Sequence, residues 1–97
     1  MGAEVVFSLK NPQSVLKLLN DIKDKYDGMV VSLTTPITVR YKDRVVRVKA
    51  EGKTLKLTAD KVESVSLLLL LTNSLRQMGL QVKKTDVPVI IPDDYVL

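Results

Sequence analysis

The sequence predicts an α+β domain, an antiparallel sheet with two helices on one face in the order β-α-β-β-β-α, followed by an extended C-terminal tail. Three observations support this: apolar residues alternate with polar ones over most of residues 29–58, two other segments have helical periodicity, and Asp43 and Gly52 mark turns within the alternating region. Because 97 residues suffice for one modest core and not for two, we predict a single domain over residues 1–86 and a tail over residues 87–97.

The first strand and the first helix are predicted by the spacing of their apolar residues. In residues 3–10 every odd position is apolar, which is the period of a strand with one buried face. Asn11 followed by Pro12 is a typical helix start. Apolar residues then recur at helical spacing until Asp27-Gly28 ends the pattern: Val15, Leu18, Leu19, Ile22 and Tyr26.

Residues 29–58 predict a β-meander with a defined register. From Met29 to Tyr41 every odd position except 35 is apolar, so we predict one long strand that bends at Pro36. Two-residue loops at positions 43–44 and 51–52 then place Arg40 opposite Arg47, and Arg47 opposite Lys56. A one-residue slip in either hairpin would turn charged side chains into the core, so both loops support this register.

The second helix is predicted to begin at a capping box formed by Asp60 and Glu63 and to run to Met78, with Gly79 just beyond its end. Residues 81–85 then predict a short strand. Five consecutive leucines, residues 67–71, surround this helix, whereas a helix on one sheet face needs a single apolar stripe. The surplus leucines therefore pack against the first helix or under the tail, or they form a helix-mediated dimer whose interface we assign to Leu67, Leu70 and Leu71.

Positive charge is concentrated in the meander. Residues 37–58 contain seven Lys or Arg against Asp43 and Glu51, a net charge of +5, while the whole chain has +4. We interpret the outer face as a docking surface for a phosphate backbone. The candidate nucleic-acid-binding residues are Arg40, Lys42, Arg47, Lys49 and Lys56. A solvated face and a surface for an acidic protein are the alternatives. Tyr41 points inward by parity, which disfavours base stacking.

The tail has two interpretations. The apolar strip Val89–Ile91 lies between two prolines and is suited to adding to a sheet edge, in its own subunit or in a neighbour. Asp93 and Asp94 are placed to cover the basic face until a stronger anion competes.

Several functional classes lose support because residues are missing. The chain has no His and no Cys, which removes the usual nucleophile systems and the common transition-metal sites. It has no dinucleotide or P-loop motif, and ordinary ion pairs with neighbouring lysines account for Asp21 and Asp24. We therefore expect no enzyme activity, no metal and no cofactor. We also expect no membrane span, a cytoplasmic location in the absence of a signal sequence, and a thermophilic source.

Two families share parts of this pattern. Residues 11–79 have the α-β-β-β-α order of double-stranded-RNA-binding domains but lack their basic cluster at the start of the second helix. The chain also resembles the small dimerising subunit of the archaeal KEOPS tRNA-modification complex, through its opening strand and helix and through residues 55–57 (Leu-Lys-Leu), which lead to a long helix containing residues 73–76 (Asn-Ser-Leu-Arg). That resemblance implies helix-mediated dimerisation, a non-catalytic scaffold role and contact with tRNA.

Two functional hypotheses follow. In the first, the protein is a small non-catalytic accessory domain that binds nucleic acid, RNA rather than DNA, through its basic sheet face, and forms a homo-oligomer. In the second, it is a protein-interaction or assembly subunit that acts through the leucine-rich helix and the apolar tail, without a nucleic-acid role.

Overall fold

The computed structural model describes residues 2–11 and 14–87 and contains one antiparallel sheet of six strands with two helices. The strand order across the sheet is β2-β3-β4-β5-β1-β6. The elements in chain order are β1 (Ala3–Ser8), α1 (Val15–Lys23), β2 (Val30–Ser32), β3 (Ile37–Tyr41), β4 (Arg44–Glu51), β5 (Thr54–Ala59), α2 (Val65–Gln77) and β6 (Gln81–Thr85). The predicted α+β class is confirmed.

Both helices cover the same face of the sheet. Helix α2 packs on β1, β4 and β5, while α1 packs on β2 and against α2. Alternate strand residues supply the floor of the core, as the period-two pattern requires. The central strands contribute fully buried side chains that include Phe7, Val39, Val46, Leu55 and Leu57. No helix of the described residues packs on the opposite face of the sheet.

The spacing of apolar residues in α1 agrees with the prediction. Val15, Leu19 and Ile22 are buried, and Leu18 is half-buried against the core. The helix ends at Lys23, earlier than the predicted end at Asp27-Gly28, so Tyr26 packs on the core from the segment that follows the helix. The helix begins at Val15, preceded by Ser14, whose hydroxyl donates a hydrogen bond to the carbonyl of Asn11 at 2.7 Å. Pro12 lies outside the described residues.

The start of α2 differs from the prediction. A 3₁₀ turn, Val62–Ser64, precedes the helix, and no side-chain hydrogen bond caps either element. The Asp60 carboxylate binds Arg47 on β4 and not the helix start, because two charge-assisted bonds to a guanidinium outweigh one bond to a backbone amide. The end of α2 is as predicted: Gly79 has φ +97, and Leu80 N–H donates to the Leu75 carbonyl in a Schellman motif.

The prediction of one long strand across Pro36 is wrong. The chain reverses at residues 33–36, so β2 and β3 form an antiparallel hairpin in which Val31 pairs with Val39 and Ser32 with Thr38. Paired residues in this hairpin have position numbers of the same parity. Odd-numbered residues therefore face the core in both strands, and the alternation continues through a reversal as it would through a bend.

Both predicted hairpin registers are displaced by two residues. The first loop is Lys42-Asp43, both residues with positive φ, and it pairs Tyr41 with Arg44. The second loop is residues 52–53, with Gly52 at φ +58, and it pairs Glu51 with Thr54. A shift of two residues preserves which face each side chain occupies, so apolar alternation alone does not distinguish these registers.

The remaining C-terminal expectations fall mostly outside the described residues. The short strand predicted over residues 81–85 is confirmed as β6, which pairs with β1. Val87 is half-buried against the core. The tail positions at Val89–Ile91, Asp93 and Asp94 lie beyond the described part of the chain.

Candidate functional site

The open face of the sheet carries a groove of about 620 Å³. Side chains of β4 and β5 form its floor, and the loop between β2 and β3 forms one wall with Thr35 and Pro36. Charged residues dominate the polar part of the lining: Glu4, Arg47, Lys49 and Lys56. A smaller depression of about 210 Å³ shares three of these residues and extends the groove to Lys84 on β6.

Three lysines form a row across this face, which we call the lysine row: Lys49, Lys56 and Lys84. Lys49 lies directly opposite Lys56 on the neighbouring strand. Val6 of β1 follows Lys56 in the same row, and Lys84 follows Val6. The row therefore spans three strand spacings, about 14 Å. Like charges on directly opposed residues destabilise a sheet by a few tenths of a kcal/mol.

Acidic residues accompany two members of the lysine row. The Lys49 ammonium lies 3.1 Å from a carboxylate oxygen of Glu51 on the same strand. The Lys56 ammonium lies 3.7 Å from Glu4 on β1. All four side chains are substantially exposed, so each pair exchanges readily with solvent ions and contributes little to stability. Lys84 has no ion-pair partner among the described residues.

Arg47 lies one row away and has a tighter partner. Its guanidinium donates two hydrogen bonds to the carboxylate of Asp60, at 2.7 Å and 2.8 Å. The hydrogen bonds from Arg47 lower the pKa of the Asp60 carboxyl, and the positive charge of the guanidinium acts in the same direction. The same bonds raise the pKa of Arg47. Thr38 and Thr58 pair with Arg47 on either side, so hydroxyl groups flank the guanidinium.

The row predicted from the sequence, Arg40 beside Arg47 beside Lys56, is not formed. In the observed register Arg40 faces Val45 and Val30, and Arg47 faces the two threonines. Arg40 is exposed on the same face of the sheet, closer to β2. Lys42 belongs to the turn, and its ammonium lies 5.3 Å from the centre of the Tyr41 ring, away from the groove.

Four charged residues of the face were missed by sequence reasoning: Lys84, Glu4, Glu51 and Asp60. Glu4 belongs to β1 and Lys84 to β6. The apolar periodicity of these segments does not show where either strand lies in the sheet. Asp60 was assigned to a helix cap. Only Glu51 could have been predicted from the local sequence. It lies two residues from Lys49 on one strand and therefore on the same face.

Aromatic side chains do not contribute to the face within residues 2–11 and 14–87. Phe7 is fully buried. Tyr41 is half-buried on the helix side, where its ring lies 5.8 Å from that of Tyr26. The inward direction predicted for Tyr41 is confirmed.

The leucines proposed for a dimer interface lie in the core of one chain. Leu67 and Leu71 are fully buried, and Leu70 is 8% exposed. The two buried polar residues of α2 bond within the helix: the hydroxyls of Thr72 and Ser74 donate to the carbonyls of Leu68 and Leu70. The chain's own packing therefore occupies the surface that a helix-mediated dimer would use, and such a dimer stays a prediction.

Within the described ranges, no group of three acidic residues is placed to hold a metal ion, and neither helix is long and apolar enough to cross a membrane. Comparison of the chain with protein-family models, curated proteins and solved structures found no match.

Proposed function

We propose that the protein is a small non-catalytic accessory domain that binds the phosphate backbone of nucleic acid, RNA in preference to DNA, in the groove on its open sheet face. The observation that carries this proposal is the direct opposition of Lys49 and Lys56 in the floor of the groove. Each ammonium group has an exposed carboxylate beside it, Glu51 for Lys49 and Glu4 for Lys56. A phosphate between the two lysines would contact both ammonium groups at once and offset their mutual repulsion.

The surroundings of the lysine pair support a backbone ligand. Thr58 and Arg47 add a hydroxyl group and a guanidinium to the same groove, and both are common donors to phosphate oxygens. The side chains that accompany the row at Glu4 and Glu51 are exposed ion-pair partners, which a polyanion displaces at low cost. The absence of an aromatic residue from the described face favours backbone contacts over stacking on single bases.

The test is a titration of short RNA and DNA, single-stranded and duplex, at 50 and 200 mM salt. In wild type we expect steeply salt-dependent binding, with RNA bound more tightly than DNA of the same sequence. In the variant Lys49→Gln/Lys56→Gln we expect the slope of log K against log salt to fall by about 1.4 for single strands or about 1.8 for duplexes, since two phosphate contacts are lost.

The matched control is Lys23→Gln/Lys25→Gln, which removes the same charge at and just beyond the end of α1, on the opposite side of the sheet. It should leave the slope close to that of wild type. Equal losses in both double variants would show that binding reflects net charge alone. Unchanged binding after loss of Lys49 and Lys56 would overturn the proposal. Tighter binding to DNA than to RNA would overturn the proposed preference for RNA.

A further inference from the structure

The two edge strands of the sheet differ in charge. Strand β6 has two exposed lysines, Lys83 and Lys84, and its pairing with β1 is irregular. Exposed lysines and irregular pairing both protect an edge strand from pairing with another strand. Strand β2 has neither. The stretch that contains it, residues 28–39, has no charged residue at all, in a chain of which 27% is charged. One edge of the sheet is therefore protected and the other is not.

The unprotected edge also exposes large apolar side chains. Val30 is 54% exposed and Leu33 is 62% exposed, and these are two of the four exposed large hydrophobic residues in the described part of the chain. Val31, between them, is half-buried beside the core. A strand edge with this composition is suited to receiving another strand.

The hydrogen-bonding pattern determines which backbone groups face outward. In a two-residue hairpin the residues that flank the loop, here Tyr41 and Arg44, exchange hydrogen bonds, and the pattern then alternates along the strand. Tyr41 and Val39 thus bond toward β4, and Arg40 and Thr38 bond toward β2. Their partners Val30 and Ser32 bond inward. The N–H and C=O of Val31 are left pointing away from the sheet.

We propose that a second copy of this chain docks on this edge, with the two β2 strands antiparallel about a two-fold axis at Val31. Val31 of each copy then exchanges both backbone hydrogen bonds with Val31 of the other. In the same register Leu33 lies opposite position 29 of the second copy, and Val30 lies opposite Ser32, so the exposed Val30 and Leu33 both lie at the contact. Strand β2 of one copy thus contacts strand β2 of the other, and the same surface is used on both copies, as a two-fold interface requires.

Charge favours a second copy over a different partner. The protein has a net charge of +4, which opposes self-association in general, but no like charges meet when two copies join at residues 28–39, because this stretch has no charged residue. An acidic or a basic peptide would find no opposite charge on residues 28–39. This surface is distinct from the leucines of α2, and the pairing leaves both lysine rows on one face of a continuous twelve-stranded sheet.

The contact is small, because three to five residues of one strand bury much less than the roughly 1,200 Å² of a stable interface. We therefore expect a weak dimer whose population rises with protein concentration. Sedimentation from 10 µM to 1 mM should show the average mass rising toward that of a dimer. The variant Leu33→Lys should stay monomeric over this range, and the control Val62→Lys, at a side chain that is 77% exposed, should behave as wild type.

Cross-linking tests the register independently, since the chain contains no Cys. Residues that exchange hydrogen bonds across antiparallel strands have Cα atoms about 5.5 Å apart, within the range of a disulfide. Oxidised Val31→Cys should therefore form a covalent dimer at least about tenfold faster than Lys83→Cys on the opposite edge. A monomer at 1 mM, a dimer unaffected by Leu33→Lys, or equal cross-linking of the two cysteine variants would overturn the proposal.

Discussion

Arg47 and Asp60 form a bidentate ion pair that joins the middle of β4 to the residue directly after β5. Two parallel hydrogen bonds hold the guanidinium and the carboxylate in one plane. The pair explains why the chain enters α2 without the predicted capping box, since the Asp60 carboxylate is already occupied. It also sets the position of Arg47 at the rim of the groove.

The stability that this ion pair contributes should depend on pH. The Asp60 pKa is lowered below its ordinary value of 3.8 in the folded protein, so its contribution is complete above that value and is lost as the pH falls through the lower folded-state pKa. Asp60→Asn should therefore have a lower melting temperature than wild type at pH 7, and the difference should shrink below about pH 4. Thermal melts from pH 7 to pH 2 measure this.

The corresponding control is a double-mutant cycle. Arg47→Gln should lower the melting temperature by a similar amount at pH 7, and the double variant should lose little more than either single variant, because both substitutions break the same contact. Additive losses, or a difference between wild type and Asp60→Asn that widens in acid, would contradict this explanation.

The sequence determined the faces of the strands but not their register. Alternation identified which side chains of β1, β3, β4 and β5 point to the core, and all of these assignments hold. It could not separate registers two residues apart, nor a bent strand from a hairpin, because both preserve parity. The deciding information was in the turn, where Lys42 and Asp43 adopt a conformation that sequence statistics assign to Asn-Gly.

Substitutions in the observed turn should therefore stabilise the protein. Lys42 and Asp43 both have positive φ, 50° and 64°, which costs free energy in residues other than Gly and Asn. Lys42→Asn/Asp43→Gly should raise the free energy of unfolding by about 1 kcal/mol, or the melting temperature by about 4–8 °C. Chemical denaturation and thermal melts provide the measurement.

The control places the same dipeptide one residue later, at the loop predicted from the sequence. Asp43→Asn/Arg44→Gly should destabilise the protein, because the Arg44 guanidinium donates to the carbonyls of Glu63 at 2.9 Å and Lys42 at 3.1 Å. If this second variant were the more stable one, the Lys42-Asp43 loop would be the wrong assignment.

The burial of the leucines in α2 gives a prediction about stability. Leu71 is fully buried, whereas Leu16 on α1 is 44% exposed. Leu71→Ala should lower the free energy of unfolding by about 2–5 kcal/mol, through lost apolar contact and the cavity that remains. Leu16→Ala, the same substitution on a helix surface, should cost less than about 1 kcal/mol. Denaturant unfolding compares them, and similar losses would contradict the packing described for α2.

The candidate site was only partly predictable for a related reason. Local patterns place Arg47, Lys49 and Lys56 on one face because they lie on adjacent hairpin strands. They do not reveal that Glu4 lies beside Lys56, since the two residues are distant in the sequence and meet only once β1 pairs with β5. Arg47, Lys49, Lys56 and the carboxylate of Glu51 all belong to β4 and β5, whereas the carboxylate of Glu4 comes from β1, at the start of the chain.

Glu4 should therefore weaken nucleic-acid binding, if the proposed function is correct. Its carboxylate lies 3.7 Å from the Lys56 ammonium and competes with a phosphate for that cation. Glu4→Gln should increase the affinity for RNA at 50 mM salt and steepen the salt dependence by up to about 0.9, the value for one additional duplex phosphate contact. Asp21→Asn changes the net charge equally but removes a carboxylate that pairs with Lys17 on α1, so its effect should be smaller. Fluorescence anisotropy with labelled RNA compares the two, and a larger gain from Asp21→Asn would place the binding surface on the helices.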